Sequence, residues 1–158
     1  MEKNWTPYKS EKEKFKADFP GRVRRECRGL LSDDGTSPGT VLYISKIGFL
    51  GKLIYQINVT RIPTEVIRQI VGDSSPEIFL KASLEVELNS VPGRWELKSC
   101  ESTIFKGYSA LEYEIETSLH IKGIMTLVKN TVYNAFVWFW PDHEPKFEKF
   151  INSFEILG

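Results

Sequence analysis

The chain has 158 residues, with 21 Lys+Arg against 21 Asp+Glu, 41% hydrophobic and 13% aromatic residues, and a pI near 6.7. Charges that cancel, with ten Phe and four Trp to cover, exclude a mainly disordered or low-complexity chain and leave enough apolar material for one domain over 1–158. The lack of a Lys and Arg surplus argues against a dedicated nucleic-acid binder, which needs one to displace counterions from phosphate.

Residues 1–13 read as a candidate flexible N-terminal segment. Lys and Glu alternate through Met1 to Phe19 with no apolar stretch of signal-peptide length, so the chain as written points to the cytoplasm. If a leader had been cut away, it would instead be exported or lipid-anchored. The longest apolar run, Ala135 to Trp140, is far shorter than the roughly 20 residues that cross a bilayer as a helix.

Phe15, Ala17 and Phe19 alternate with Lys14, Lys16 and Asp18 and stop at Pro20-Gly21, the pattern of a half-buried strand ending in a turn. Arg22 to Leu31, a turn-rich loop to Gly39, and Thr40 to Ser45 then read as a hairpin. Leu53 to Ile62 is a further strand, separated from it by the loop Gly48-Phe49-Leu50-Gly51. Thr64 followed by Glu65 to Val71 predicts a short helix.

Ser75-Pro76-Glu77 predicts a stronger helix start, with a capping hydroxyl, a proline at the first helical position and an anion near the positive end. That helix runs to about Asn89. Four strands follow, Trp95 to Phe105, Tyr108 to Thr117, His120 to Lys129 and Thr131 to Trp140, with Gly93, Gly107 and Gly123 as punctuation. Phe147, Phe150, Ile151 and Phe154 then fall on one face of a helix expected from His143 to Phe154. The fold class is α+β: a central antiparallel sheet flanked by helices, with the C-terminal amphipathic helix packed on it.

Catalytic and metal motifs are poorly represented. His120 and His143 have no second His or Cys at ligand spacing, and no phosphate-cradling or nucleophile-elbow glycine motif occurs. Asp142-His143-Glu144 reads as a helix start with Asp142 as cap. Glu112, Glu114 and Glu116 read as a solvated strand face. Cys27 and Cys100 stand far apart; a disulfide between them stays open, and free thiols are the blander reading. No cofactor, metal site or enzyme activity is implied.

Two surface features stand out. The first 28 residues hold nine Lys+Arg against five Asp+Glu, a net +4 balanced by −4 in the remainder. Arg22, Arg24, Arg25 and Arg28 concentrate that charge, either as an edge strand protected from aggregation or as a dock for an acidic partner or an anionic membrane surface. Phe49 and Leu50, between glycines, either fold onto the core or form a binding lip. These six residues are the candidate partner-binding set.

Phe19-Pro20-Gly21, Tyr55-Gln56-Ile57-Asn58-Val59 before Pro63, Gly107-Tyr108-Ser109-Ala110-Leu111-Glu112, Thr131-Val132-Tyr133 and Phe147 to Phe154 occur in an order that resembles small bacterial proteins of the PsbP/DcrB/Mog-like superfamily. The resemblance spans Trp5 to Ile156. It departs in the Arg-rich stretch after Gly21 and at Tyr108, where such proteins often have Pro. It implies an α/β/α or α+β sandwich and a non-enzymatic assembly or accessory role through a protein partner. The alternative is a small-ligand or lipid carrier with Trp95, Trp138, Phe139 and Trp140 around a pocket.

Overall fold

A computed structural model describes residues 5–29, 39–48, 52–63, 65, 76–89 and 93–157. A seven-stranded antiparallel sheet dominates, in the order β3-β4-β5-β9-β8-β7-β6. Its strands are β3 (Arg24–Gly29), β4 (Gly39–Ile47), β5 (Leu53–Arg61), β6 (Glu96–Phe105), β7 (Tyr108–Glu116), β8 (His120–Val128) and β9 (Thr131–Phe139). A smaller sheet pairs β1 (Thr6–Ser10) and β10 (Glu155–Ile156) on either side of β2 (Phe15–Phe19). Two described helices complete the fold, α1 (Pro76–Asn89) and α2 (Phe147–Ser153). The expected helix after Thr64 lies outside the described residues apart from Glu65.

β9 sits mid-sheet, and Val132 to Val137 are buried without interruption, as expected of a strand covered on both faces. Toward one face point Tyr43, Tyr55, Ile57, Tyr133 and Val137. They pack against the small sheet and α2, with Phe15, Phe19, Phe150 and Phe154 at 0–1% exposure. The opposite face carries Leu111, Tyr113, Ile121, Met125 and Phe136 under Leu80, Leu84 and Leu88 of α1, which lies on β7 and β8. One cover is therefore mainly sheet, so the sandwich is less helical than the sequence implies.

Four local departures have physical reasons. Residues 6–10, inside the segment expected to be flexible, form β1 because Tyr8 packs on Phe15, Phe19 and Tyr43. The last helix begins at Phe147 rather than His143: a residue before proline is driven from the helical region, and Pro145 follows Glu144. His143 N–H instead closes a turn on the Trp140 carbonyl at 2.9 Å, so Asp142 caps no helix. Gly107 does turn the chain, at φ +91° beside Lys106 at +46°, a two-residue hairpin. Gly123 is no punctuation but lies inside β8, where an added Cβ would stand 2.6 Å from Tyr113 Oη and 2.7 Å from Phe136 Cβ.

Cys27 and Cys100 are both free. They sit on β3 and β6, the opposite edges of the sheet. Six strand spacings, roughly 29 Å, put them far beyond disulfide reach.

Candidate functional site

β3 forms one edge of the large sheet, and its arginines divide between the faces. Arg24 and Arg28 are exposed, as is Arg22 just before the strand. Arg24 pairs with Glu26 at 3.0 Å, an exposed contact worth little in water. Arg25 is exposed too, but on the other face of the strand. Its guanidinium donates to Tyr43 Oη at 3.3 Å and lies 3.7 Å from Glu13, and the Tyr43 hydrogen bond raises its already high pKa. Phe49 and Leu50 lie outside the described residues.

Glu13 anchors a second constellation. Its side chain is 1% exposed, with Arg61 at 2.9 Å on one oxygen and Arg25 near the other. Tyr133 Oη donates to the Glu13 carbonyl at 2.7 Å, and Glu13 N–H donates to Ser10 Oγ at 3.1 Å. Burial, followed by the nearby Glu13 charge, pushes the Tyr133 phenol up to about 12. The cluster ties the β1–β2 turn to β4, β5 and β9, an assignment to structure that the Lys/Glu alternation around Glu13 concealed.

The third feature is a cleft of about 450 Å³ between α1 and the β4–β5–β9 face. Tyr113 Oη donates to Asn134 Oδ1 at 2.6 Å, and Asn134 Nδ2 donates to Glu87 Oε2 at 2.5 Å. Desolvation raises Glu87 from an ordinary 4.5 to about 7, against the lowering effect of the Asn134 bond. Burial likewise lifts Tyr113 well above the usual phenol range. Beside this chain, Gln56 Nε2 donates to Asn58 Oδ1 at 2.7 Å, and Asn58 stands opposite Asn134 in register. Trp138 also lines the cleft, and its indole N–H is buried with no acceptor.

No sequence motif points to Glu87, Asn134, Gln56 or Asn58. A signal was present, since Gln56 and Asn58 share one face of a mainly apolar strand and Asn134 interrupts the apolar sequence of a fully buried run. Of the four aromatics expected to line a pocket, Trp138 does so. Phe139 faces the aromatic core, Trp95 packs at the rim of the other cluster, and Trp140 is exposed with the Lys52 amine 5.6 Å from its ring.

Asp142 and His143 hydrogen-bond at 2.9 Å on the surface, a contact that lowers the carboxyl below its usual range. On β7, Glu114 and Glu116 pair with Lys122 and Lys98 at 4.0 and 3.4 Å, and Glu112 stands opposite Glu101 in register. Among the described residues, no three His, Cys, Asp or Glu side chains gather as metal ligands would. No described helix is long and apolar enough to cross a membrane.

With this geometry in hand, the solution structure of cyanobacterial PsbP (CyanoP) from Synechocystis sp. PCC 6803 is similar at a TM-score of 0.63, covering 98% of this chain and 93% of that one at 16% identity. The fold is PsbP-like. A Pseudomonas aeruginosa protein of unknown function is more distant, at a TM-score of 0.43 and 12% identity over 87% of this chain and 83% of that chain. No protein-family model and no curated protein matches the sequence.

Proposed function

We propose that this chain is a non-enzymatic accessory module, of the PsbP/DcrB/Mog-like bacterial kind, that recognises an acidic segment of a protein partner along β3. The observation that carries the reading is the row of exposed arginines, Arg24 and Arg28 on a strand at the edge of the sheet and Arg22 just before it. An edge strand offers a line of backbone donors and acceptors to an extended peptide. Charge of either sign would blunt such an edge against aggregation, but charge of one sign also selects an acidic partner and speeds its encounter. Arg25 is left out of the contact set because Glu13 and Tyr43 engage it. The PsbP-like fold supports an accessory role by analogy, and export or lipid anchoring belongs to the same reading.

Affinity purification from the native source at near-physiological salt tests it, comparing the wild type with Arg22→Glu/Arg24→Glu/Arg28→Glu. The expected result is a partner with an acidic segment that the triple variant loses, while both proteins unfold at the same temperature. Recovery of bare monomer, or the same partner on both proteins, would overturn the reading.

A further inference from the structure

The cleft beside α1 has the composition of a small-molecule site rather than of packing left unfinished. Its volume of about 450 Å³ lies within the range of roughly 300 to 1,000 Å³ that takes drug-sized molecules. Ile44, Phe136 and Trp138 supply an apolar wall, and the last two rings lie 5.9 Å apart. An aromatic body seats well against such a wall.

The polar groups are specific in kind. The bond from Gln56 to Asn58 uses one atom of each amide, which leaves the Gln56 carbonyl as an acceptor and the Asn58 Nδ2 hydrogens as donors. The Trp138 indole N–H adds a buried donor with no acceptor, a condition that protein interiors avoid. The described charges lining the cleft are Arg28 and Glu87, one of each sign, so the lining favours neither an anion nor a cation by net charge.

We propose that this cleft binds a neutral, flat, partly aromatic molecule whose amide-type edge pairs with Gln56 and Asn58 and whose further acceptor meets the Trp138 indole. Beside these amides, the Tyr113–Asn134–Glu87 chain ties the sheet to α1. Arg28 borders both this cleft and the docking row at β3, but neither inference requires the other.

Quinoline-3-carboxamide is a suitable probe: it is neutral at pH 7.5 and carries an amide edge and a ring acceptor. It is titrated into the ¹⁵N-labelled full chain alongside quinoline-3-carboxylate. The expected result is a joint shift of the Trp138 Nε1–H and the Gln56 and Asn58 side-chain amides, with the carboxylate weaker by about tenfold, one hydrogen bond's worth of discrimination. Gln56→Leu/Asn58→Leu should weaken the carboxamide by a similar factor. If that variant fails to fold, the amide-versus-acid comparison on the wild type still decides. Overturning results are no movement of the three signals at millimolar probe, shifts confined to another surface, or equal binding of the acid. Broadening of the same signals with protein concentration alone would assign the cleft to self-association and equally overturn the proposal.

Discussion

The two faces of the seven-stranded sheet carry different kinds of side chain, although every strand contributes to both. On the face under the small sheet, rings interlock: Phe15 meets Tyr43 at 4.8 Å and Phe154 at 6.0 Å, and Phe150 meets Phe19 and Tyr55 at 5.4 and 5.3 Å. On the α1 face, the register that brings Ile57 opposite Ala135 also brings Asn58 opposite Asn134. Aromatic packing is the cheaper way to cover a sheet, because it needs no hydrogen-bond partners. Amides placed where aliphatic groups would fit indicate that the second face serves something besides cohesion.

Breaking the aromatic face should have the largest effect. Phe154→Ala removes a ring at 1% exposure that also contacts Phe105 and Tyr133, and should cost about 4 kcal/mol in urea unfolding. A loss under about 1 kcal/mol would mean that this face is not the tight core described. Glu13→Ala should follow at about 3 kcal/mol, since it removes the buried carboxylate from Arg61, whose side chain is only 14% exposed. If Glu13→Ala instead matches the wild type in the same assay, the clamp does not anchor the small sheet.

The cleft face should show itself through pH. Glu87 is lifted from 4.5 to about 7 by burial, so the folded state holds its proton more tightly than the unfolded chain does. Its contribution is fully present below about 4.5 and is lost as pH rises through about 7. Between pH 5 and 8 the wild type should lose roughly 2 kcal/mol relative to Glu87→Gln, which has no proton to lose at that position. Parallel stability curves for the two proteins would refute the assignment.

Much of this fold was legible because local signals agreed with tertiary ones. Ser75-Pro76-Glu77 announced α1, whose described span begins at Pro76. Alternation marked β2 and β7, and Lys106-Gly107 marked a hairpin. Most of what stayed hidden depends on distance along the chain, the start of α2 being a local exception. β1 is too short and polar to declare itself and is held by Tyr8 against rings up to 35 positions away. The start of α2 was misplaced because its aromatic periodicity said nothing of Pro145. Glu87 and Asn134 lie 47 positions apart, and only the packing of α1 over the sheet creates the medium that shifts the carboxyl. Gly123 looked like a turn residue, yet its missing Cβ makes room for the Tyr113 ring.

The most direct test of the division between faces is the stability of Gln56→Leu/Asn58→Leu. Replacing both partners of a hydrogen bond with apolar groups of similar size leaves no orphan and is close to neutral or stabilising unless the pair holds the fold together. Urea unfolding of the double variant should therefore give a free energy equal to or above that of the wild type, with the carboxamide site weakened. A loss of more than about 1 kcal/mol would show that these amides serve the fold, and would contradict the account of the cleft as a recognition surface.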